Sequence, residues 1–267
     1  MINKMQIAII KKDISGITAN KRMLTALITV PLVMTVFLPL VFILPILLSP
    51  VDSADVMLQL FDASYPENSN FNNTNIQYMY VNMILNNVIP MFFILIPIMA
   101  SSVMASSSFV GEKEKSTLET LLYCPLPLKK IFTAKILASL LLSMAVSIFS
   151  FIVMIIVTET IIFVLAGTLI MPNINWIIIL LLVSPAAAII SINLIVRNSA
   201  KAQSSEEAQQ SSLFLVLPVI LLVVGQFTGI MMISVKLFLL IAAVLAVIAA
   251  LTFKSSFGKF NYESLLR

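Results

Sequence analysis

The fold this sequence predicts is all-α: a single polytopic membrane domain over residues 1–267, with six transmembrane helices and both termini cytoplasmic. Three observations predict it. Composition is the first: 60% of residues are hydrophobic, 10% are charged and mean hydropathy is +1.08, values outside the range of an ordinary soluble domain. The second is a series of apolar runs long enough to cross a bilayer. The third is charge placement. Segments 1–22, 111–135, 197–212 and 254–267 hold every lysine and arginine except Lys236, whereas the intervening loops 49–80 and 159–175 hold none. That is the positive-inside asymmetry, and it places the basic segments in the cytoplasm.

Residues 1–22 carry Lys4, Lys11, Lys12, Lys21 and Arg22 without the layout of a cleavable signal. Ile7, Ile10, Ile14 and Ile17 recur at helical spacing, with Lys4, Lys11 and Lys12 largely off that face. The expectation is an amphipathic interfacial helix on an anionic inner leaflet. Residues 24–48 are uncharged, roughly 37 Å of helix at ~1.5 Å per residue, and form the first span. Pro31, Pro39 and Pro45 are expected to kink it.

The extracellular loop 49–80 carries Asp52, Asp55, Asp62 and Glu67. Its acidity suits either cationic cargo or simply an outer location. Asn72-Asn73-Thr74 is a glycosylation sequon that matters only in a eukaryotic secretory setting. The second span is 81–108. Asn82 and Asn86 share a face near its outer end, which suits a wet vestibule or helix-end hydrogen bonding. Serines 101, 102, 106, 107 and 108 crowd its inner end, where small side chains permit close helix approach.

Segment 111–135, GEKEKSTLETLLYCPLPLKKIFTAK, is the one long charged stretch between two spans. Leu118, Leu121, Leu122 and Leu126 form one face of a short helix. Ser116 or Thr117 is placed to cap its start, with Glu112 and Glu114 on the favourable side of the dipole, and Pro125 and Pro127 to stop it. Such a helix is placed to pass force from a soluble partner into the membrane, or to lie as a solvated loop on the headgroups.

Residues 136–158 make the third span. Ser139, Ser143, Ser147 and Ser150 form a polar stripe along it, open to two readings, a translocation path or helix packing. Glu159 is expected at the outer end. Residues 176–196 make the fourth span, entered by Trp176 at the interface. The 197–212 loop is polar, and a helical linker continuous with the fifth span is its simplest structure. From 213 to 253 the only charge is Lys236. A turn there gives spans 213–235 and 237–253, and a turn at Gly225–Gly229 would leave a first piece too short to cross.

The sequence has no histidine, which removes histidine-based acid–base chemistry, Ser-His triads and His-Glu-x-x-His metal sites. No P-loop occurs, and the single Cys124 has no intrachain disulfide partner. No catalytic, cofactor or metal residue is assigned, and the basic residues are topology signals rather than a nucleic-acid surface.

Glu112, Thr117, Leu118, Glu119, Leu121, Leu122 and Pro125, with Lys135 ten residues further on, resemble the signature of ABC-2-type permeases, with Ser116 where many relatives carry glycine. The 197–212 loop is similar to that family's second cytoplasmic loop. The resemblance implies a membrane subunit of an ATP-binding-cassette exporter, with 111–135 as its cytoplasmic coupling segment and Glu112, Glu114, Thr117, Leu118, Glu119, Leu121, Leu122 and Pro125 as the ATPase-coupling residues. It implies two cytosolic ATPase subunits that bind ATP and magnesium, and a second permease, the same chain or a different one. The place expected is the plasma membrane of a prokaryotic cell, among lipids that are themselves partners. With no charge inside the spans, an apolar or amphipathic cargo (a peptide, lipid, lipid-linked sugar or drug) is favoured, sodium export is the alternative, and a stand-alone secondary transporter is disfavoured. Asn82, Asn86, Ser139, Ser143, Ser147 and Ser150 are the candidates for the path.

Overall fold

The computed structural model describes residues 4–48, 81–115, 117, 126–199, 201–227 and 235–258. Among the described residues every regular element is helical. Helix α1 is Lys4–Ala19, α2 Lys21–Leu48, α3 Val81–Glu114, α4 Leu128–Ala166 and α5 Ile174–Asn198. A short α6, Ser205–Gln210, runs through a 3₁₀ turn, Ser211–Leu215, into α7, Val216–Phe227, and α8 is Val235–Gly258. Helices α2 to α5 and the Ser205–Gly225 run are each long and apolar enough to cross a membrane, and Phe238–Lys254 within α8 is a shorter apolar helix. The protein is a multi-pass membrane protein.

The helices overrun the apolar stretches that announce them. Pro127 caps α4 in an extended conformation, so Lys129 and Lys130 occupy its exposed first turn. At the far end, Thr158 and Thr160 donate to Met154 and Ile156 of their own helix, so α4 passes through Glu159 and stops only at Gly167. Gly167 adopts φ 68°, which is open to glycine, and its N–H closes on Phe163. The 197–212 linker leaves α5 after Asn198 and is helical again only from Ser205, where it runs into the fifth candidate span. Ser204 accepts from the Glu207 amide, and the Glu207 carboxylate accepts from the Gln203 amide, fixing the start of α6. Lys236 lies in the first turn of α8.

Helix α3 is at the centre and is buried along nearly its whole length, while α2, α4 and α7 leave wide apolar faces exposed. The small side chains of α3 explain its position. Ser101, Ser102, Ser106 and Ser108 are buried, and Ser212 and Ser191 of neighbouring helices reach the Ser102 hydroxyl and the Ile98 carbonyl. Nearer the N-terminal end of α3, Phe93, Phe151 and Trp176 form an aromatic cluster with centroids 5.5 to 6.1 Å apart.

Helix α2 continues as one element through its three prolines, with Pro31, Thr35, Pro39 and Ile43 on its buried face. Asn20 makes the elbow between α1 and α2, its side chain accepting from the Arg22 amide. The apolar face of α1 packs on protein. Ile17 is buried, and Ile10 and Ile14 join it against Leu27, Ala100, Met104 and Ala138. Ile7, expected on the same face, is exposed. Ile17 is thus buried, and Ile10 and Ile14 partly buried, against the C-terminal part of α3 and the N-terminal part of α4, leaving Met5 and Ile7 as the exposed large apolar side chains of α1.

Candidate functional site

The 111–135 segment joins α3 to α4, and its two ends meet in a buried cluster of charges. Asp13 of α1, Glu112 of α3 and Lys135 of α4 are at most 10% exposed, and Lys12 reaches them from solvent. Lys12 Nζ donates to Glu112 Oε1 at 2.8 Å, and Lys135 Nζ is 2.8 Å from Glu112 Oε2 and 3.9 Å from Asp13 Oδ2. Lys135 also donates to the Ser108 carbonyl and sits 5.5 Å from the centroid of Phe109, whose ring stacks on Phe132. Ser108 in turn donates its hydroxyl to Asp13. Two ammoniums face two carboxylates, so the buried group is balanced in charge, as burial demands. Burial raises the Asp13 carboxyl above its ordinary value of 3.8, opposed by Lys135 and by the Ser108 hydroxyl.

Sequence spacing places Glu112 and Glu114 before a new helix and on its favourable end. They lie instead in the last turn of α3, where the dipole disfavours carboxylates. Each is compensated within the chain: Glu112 by the two lysines, Glu114 by the amide and hydroxyl of Ser205 at 3.3 and 3.0 Å. Thr117 likewise closes α3, its amide and hydroxyl both donating to the Glu112 carbonyl. At the other end of the segment, Leu126 is buried with Ile9, Ile131 and Ala134. Leu118, Glu119, Leu121, Leu122 and Pro125 lie outside the described residues.

The candidate path residues lie on two helices, Asn82 and Asn86 on α3 and the four serines on α4. Ser139, Ser143, Ser147 and Ser150 are buried along α4, and the first three donate to carbonyls of their own helix. Ser150 also lines a cleft of about 450 Å³ between α2 and α4, with Leu27, Pro31, Thr35, Ala145 and Phe149. Asn86 is buried near the N-terminal end of α3, where its Nδ2 donates to Asn82 Oδ1 and its Oδ1 accepts from the Asn173 amide at 2.6 Å.

Sequence reasoning passed over Asp13, took Lys12 for a charge off the apolar face and Ser108 for a packing serine, and placed Lys135 in the cytoplasmic segment as part of the family signature. One signal was present. Gln6, Ile9, Ile10, Asp13 and Ile17 follow helical spacing, which puts the one acidic residue of a basic helix on its apolar side.

Residues 7–242 match a family described as ABC-2 family transporter protein. No curated protein and no solved structure matches the chain.

Proposed function

The chain belongs to the ABC-2 transporter family, and we propose that it is the permease subunit of an ATP-driven exporter whose nucleotide sites lie on a separate cytosolic ATPase. The observation that carries this reading is the 111–135 segment. It bears the family's Glu, Thr-Leu-Glu, Leu-Leu and Pro spacing and joins two apolar helices whose inner ends are tied by Glu112 and Lys135. A segment held at both ends transmits displacement, whereas a free loop absorbs it. Coupling then requires that the ATPase bind this segment differently in its open and closed states.

In this proposal α2, α3, α4, α5, the α6–α7 run and α8 are the six spans. Both termini and the coupling segment are cytoplasmic, and the membrane is the plasma membrane of a prokaryotic cell. Two such permeases, identical or different, work with two ATPases. An apolar or amphipathic cargo is supported by the α2–α4 cleft, whose lining is apolar apart from Thr35 and Ser150. The buried charges do not argue for ion export, because their partners lie within the chain.

Purification from mild detergent through a tag on this chain is the test. A nucleotide-hydrolysing ATPase subunit should accompany it, and the isolated chain should hydrolyse no ATP. Hydrolysis by the isolated chain, or a functional transporter with no ATPase, overturns the proposal.

A further inference from the structure

We propose that Lys135 is a positioning residue for coupling, locking α1 to the inner ends of α3 and α4 so that the three helices move as one body at the base of the coupling segment. The inference rests on the exporter reading and extends it to α1, a helix whose sequence suggests only a membrane anchor.

Each contact of Lys135 crosses between elements. Its ammonium is addressed to the Ser108 carbonyl and to Glu112 on α3, and it lies beside Asp13 on α1. Lys12 of α1 closes the ring on the other oxygen of Glu112. A second tie lies about two helical turns back along α1, where Gln6 Nε2 donates to the Lys130 carbonyl at the start of α4. Between these polar ties, Ile9 packs with Leu126, the last described residue before Pro127 and α4.

Apolar packing alone would hold α1 in place as firmly, since a buried ion pair seldom stabilises more than the hydrophobic contact it displaces. What the charges add is register. A shift of α1 along α4 keeps apolar area buried but strands Asp13 or Glu112 without its ammonium. The ionic group therefore resists sliding, the motion a greasy interface permits. Displacement delivered to residues 115–127 is passed to α1 and, through the Asn20 elbow, to α2.

The test places spin labels at Ser15→Cys on α1 and Lys129→Cys on α4, both exposed, in a Cys124→Ser background. The distance between them is measured in the isolated permease, and in the reconstituted complex with its ATPase before and after trapping with magnesium, ATP and vanadate. One narrow distance, unchanged by trapping, is expected. The Asp13→Asn/Lys135→Met pair removes one charge of each sign and leaves Lys12 facing Glu112. It should retain the wild-type melting temperature, broaden the distance and reduce hydrolysis by the complex several-fold. A wild-type distance that changes on trapping overturns the lock, as does a double variant with a narrow distance and full hydrolysis. The wild-type arm decides the matter even if the double variant fails to fold. A complex that hydrolyses no ATP overturns the exporter reading and the coupling role with it, while the distance in the isolated permease separately tests the lock.

Discussion

The indole N–H of Trp176 donates to the backbone carbonyl of Leu85 at 3.1 Å, across two spans. The bond answers a defect that the sequence of α3 creates. Residues Ile84–Val88 form a π turn, in which the Ile89 amide reaches back to Ile84 rather than to Leu85, and Pro90 has no amide to offer Asn86. The usual donors for the Leu85 and Asn86 carbonyls are thus missing. In an apolar setting an unmet carbonyl is costly. Helix α5 supplies both partners, Trp176 for Leu85 and the Asn175 amide group for Asn86. A proline defect in one span has become a docking site for the next.

Trp176→Phe keeps most of the aromatic area but removes the donor, leaving the Leu85 carbonyl buried and unmet. A loss of about 1–3 kcal/mol is expected. Asn175→Leu should cost a similar amount through the Asn86 carbonyl. Thermal unfolding of the detergent-solubilised protein measures both. Pro90→Ala, which restores an amide, should make Trp176→Phe less damaging in the double variant. Strict additivity of the two would mean that Pro90 and Trp176 are not coupled in this way.

Much of this architecture was legible in the sequence. Apolar runs identified the helices, and the serines of α3 marked a closely approached helix. Helix ends were less legible, because hydropathy stops at Lys135 or Glu159 while the backbone continues to the residues that end it, Pro127 and Gly167. The charge cluster was least legible. Glu112 and Lys135 look like loop charges because they flank a polar segment, and only the arrival of α1 shows that both are buried. Which helix lies over which inner end is a tertiary fact, carried in the sequence by little more than Asp13 on an apolar face.

Topology is tested with single cysteines in a Cys124-free protein. Residues 64 and 167 should label with an impermeant reagent in intact cells, and residues 203 and 264 should not. Ser205 would be a poor probe, being buried against Glu114 and protected on either side of the membrane. Labelling at 203 without labelling at 64 would invert the orientation.

Asp13 gives a pH dependence with a definite sign. Burial raises its folded-state pKa above 3.8, with Lys135, Ser108, Glu112 and Lys12 all facing it. The native state therefore keeps this proton to higher pH than the unfolded chain does. Its contribution to stability is full below pH 3.8 and is lost as pH rises through the raised value. Relative to Asp13→Asn, the wild-type protein should lose stability with rising pH across that window, measured by unfolding at a series of pH values. A difference independent of pH would mean that Asp13 titrates at its ordinary value.

The last prediction compares two apolar pairs, Leu118 with Leu122 and Ile10 with Ile14. Were α1 to lie on lipid, truncating its isoleucines would remove area from a yielding surface and do little. Ile10 and Ile14 are instead half-buried against Ile17, Leu27, Ala100 and Met104. Each alanine should cost about 1–2 kcal/mol, below the ~2–5 kcal/mol for truncating a fully buried isoleucine, because both side chains are only half-buried. The Ile10→Ala/Ile14→Ala protein should therefore melt earlier and also couple poorly, because α1 loses its seat on α3 and α4. Leu118→Ala/Leu122→Ala acts differently if those leucines meet the ATPase. The isolated permease should then melt as the wild type does, while the complex loses its ATP-dependent transport and the effect of the permease on hydrolysis. Melting of the isolated chain and hydrolysis by the complex, measured on both double variants, separate the two. Normal coupling in a folded Leu118/Leu122 variant would make the segment a solvated connector. Normal melting of the Ile10/Ile14 variant would put α1 back on the lipid.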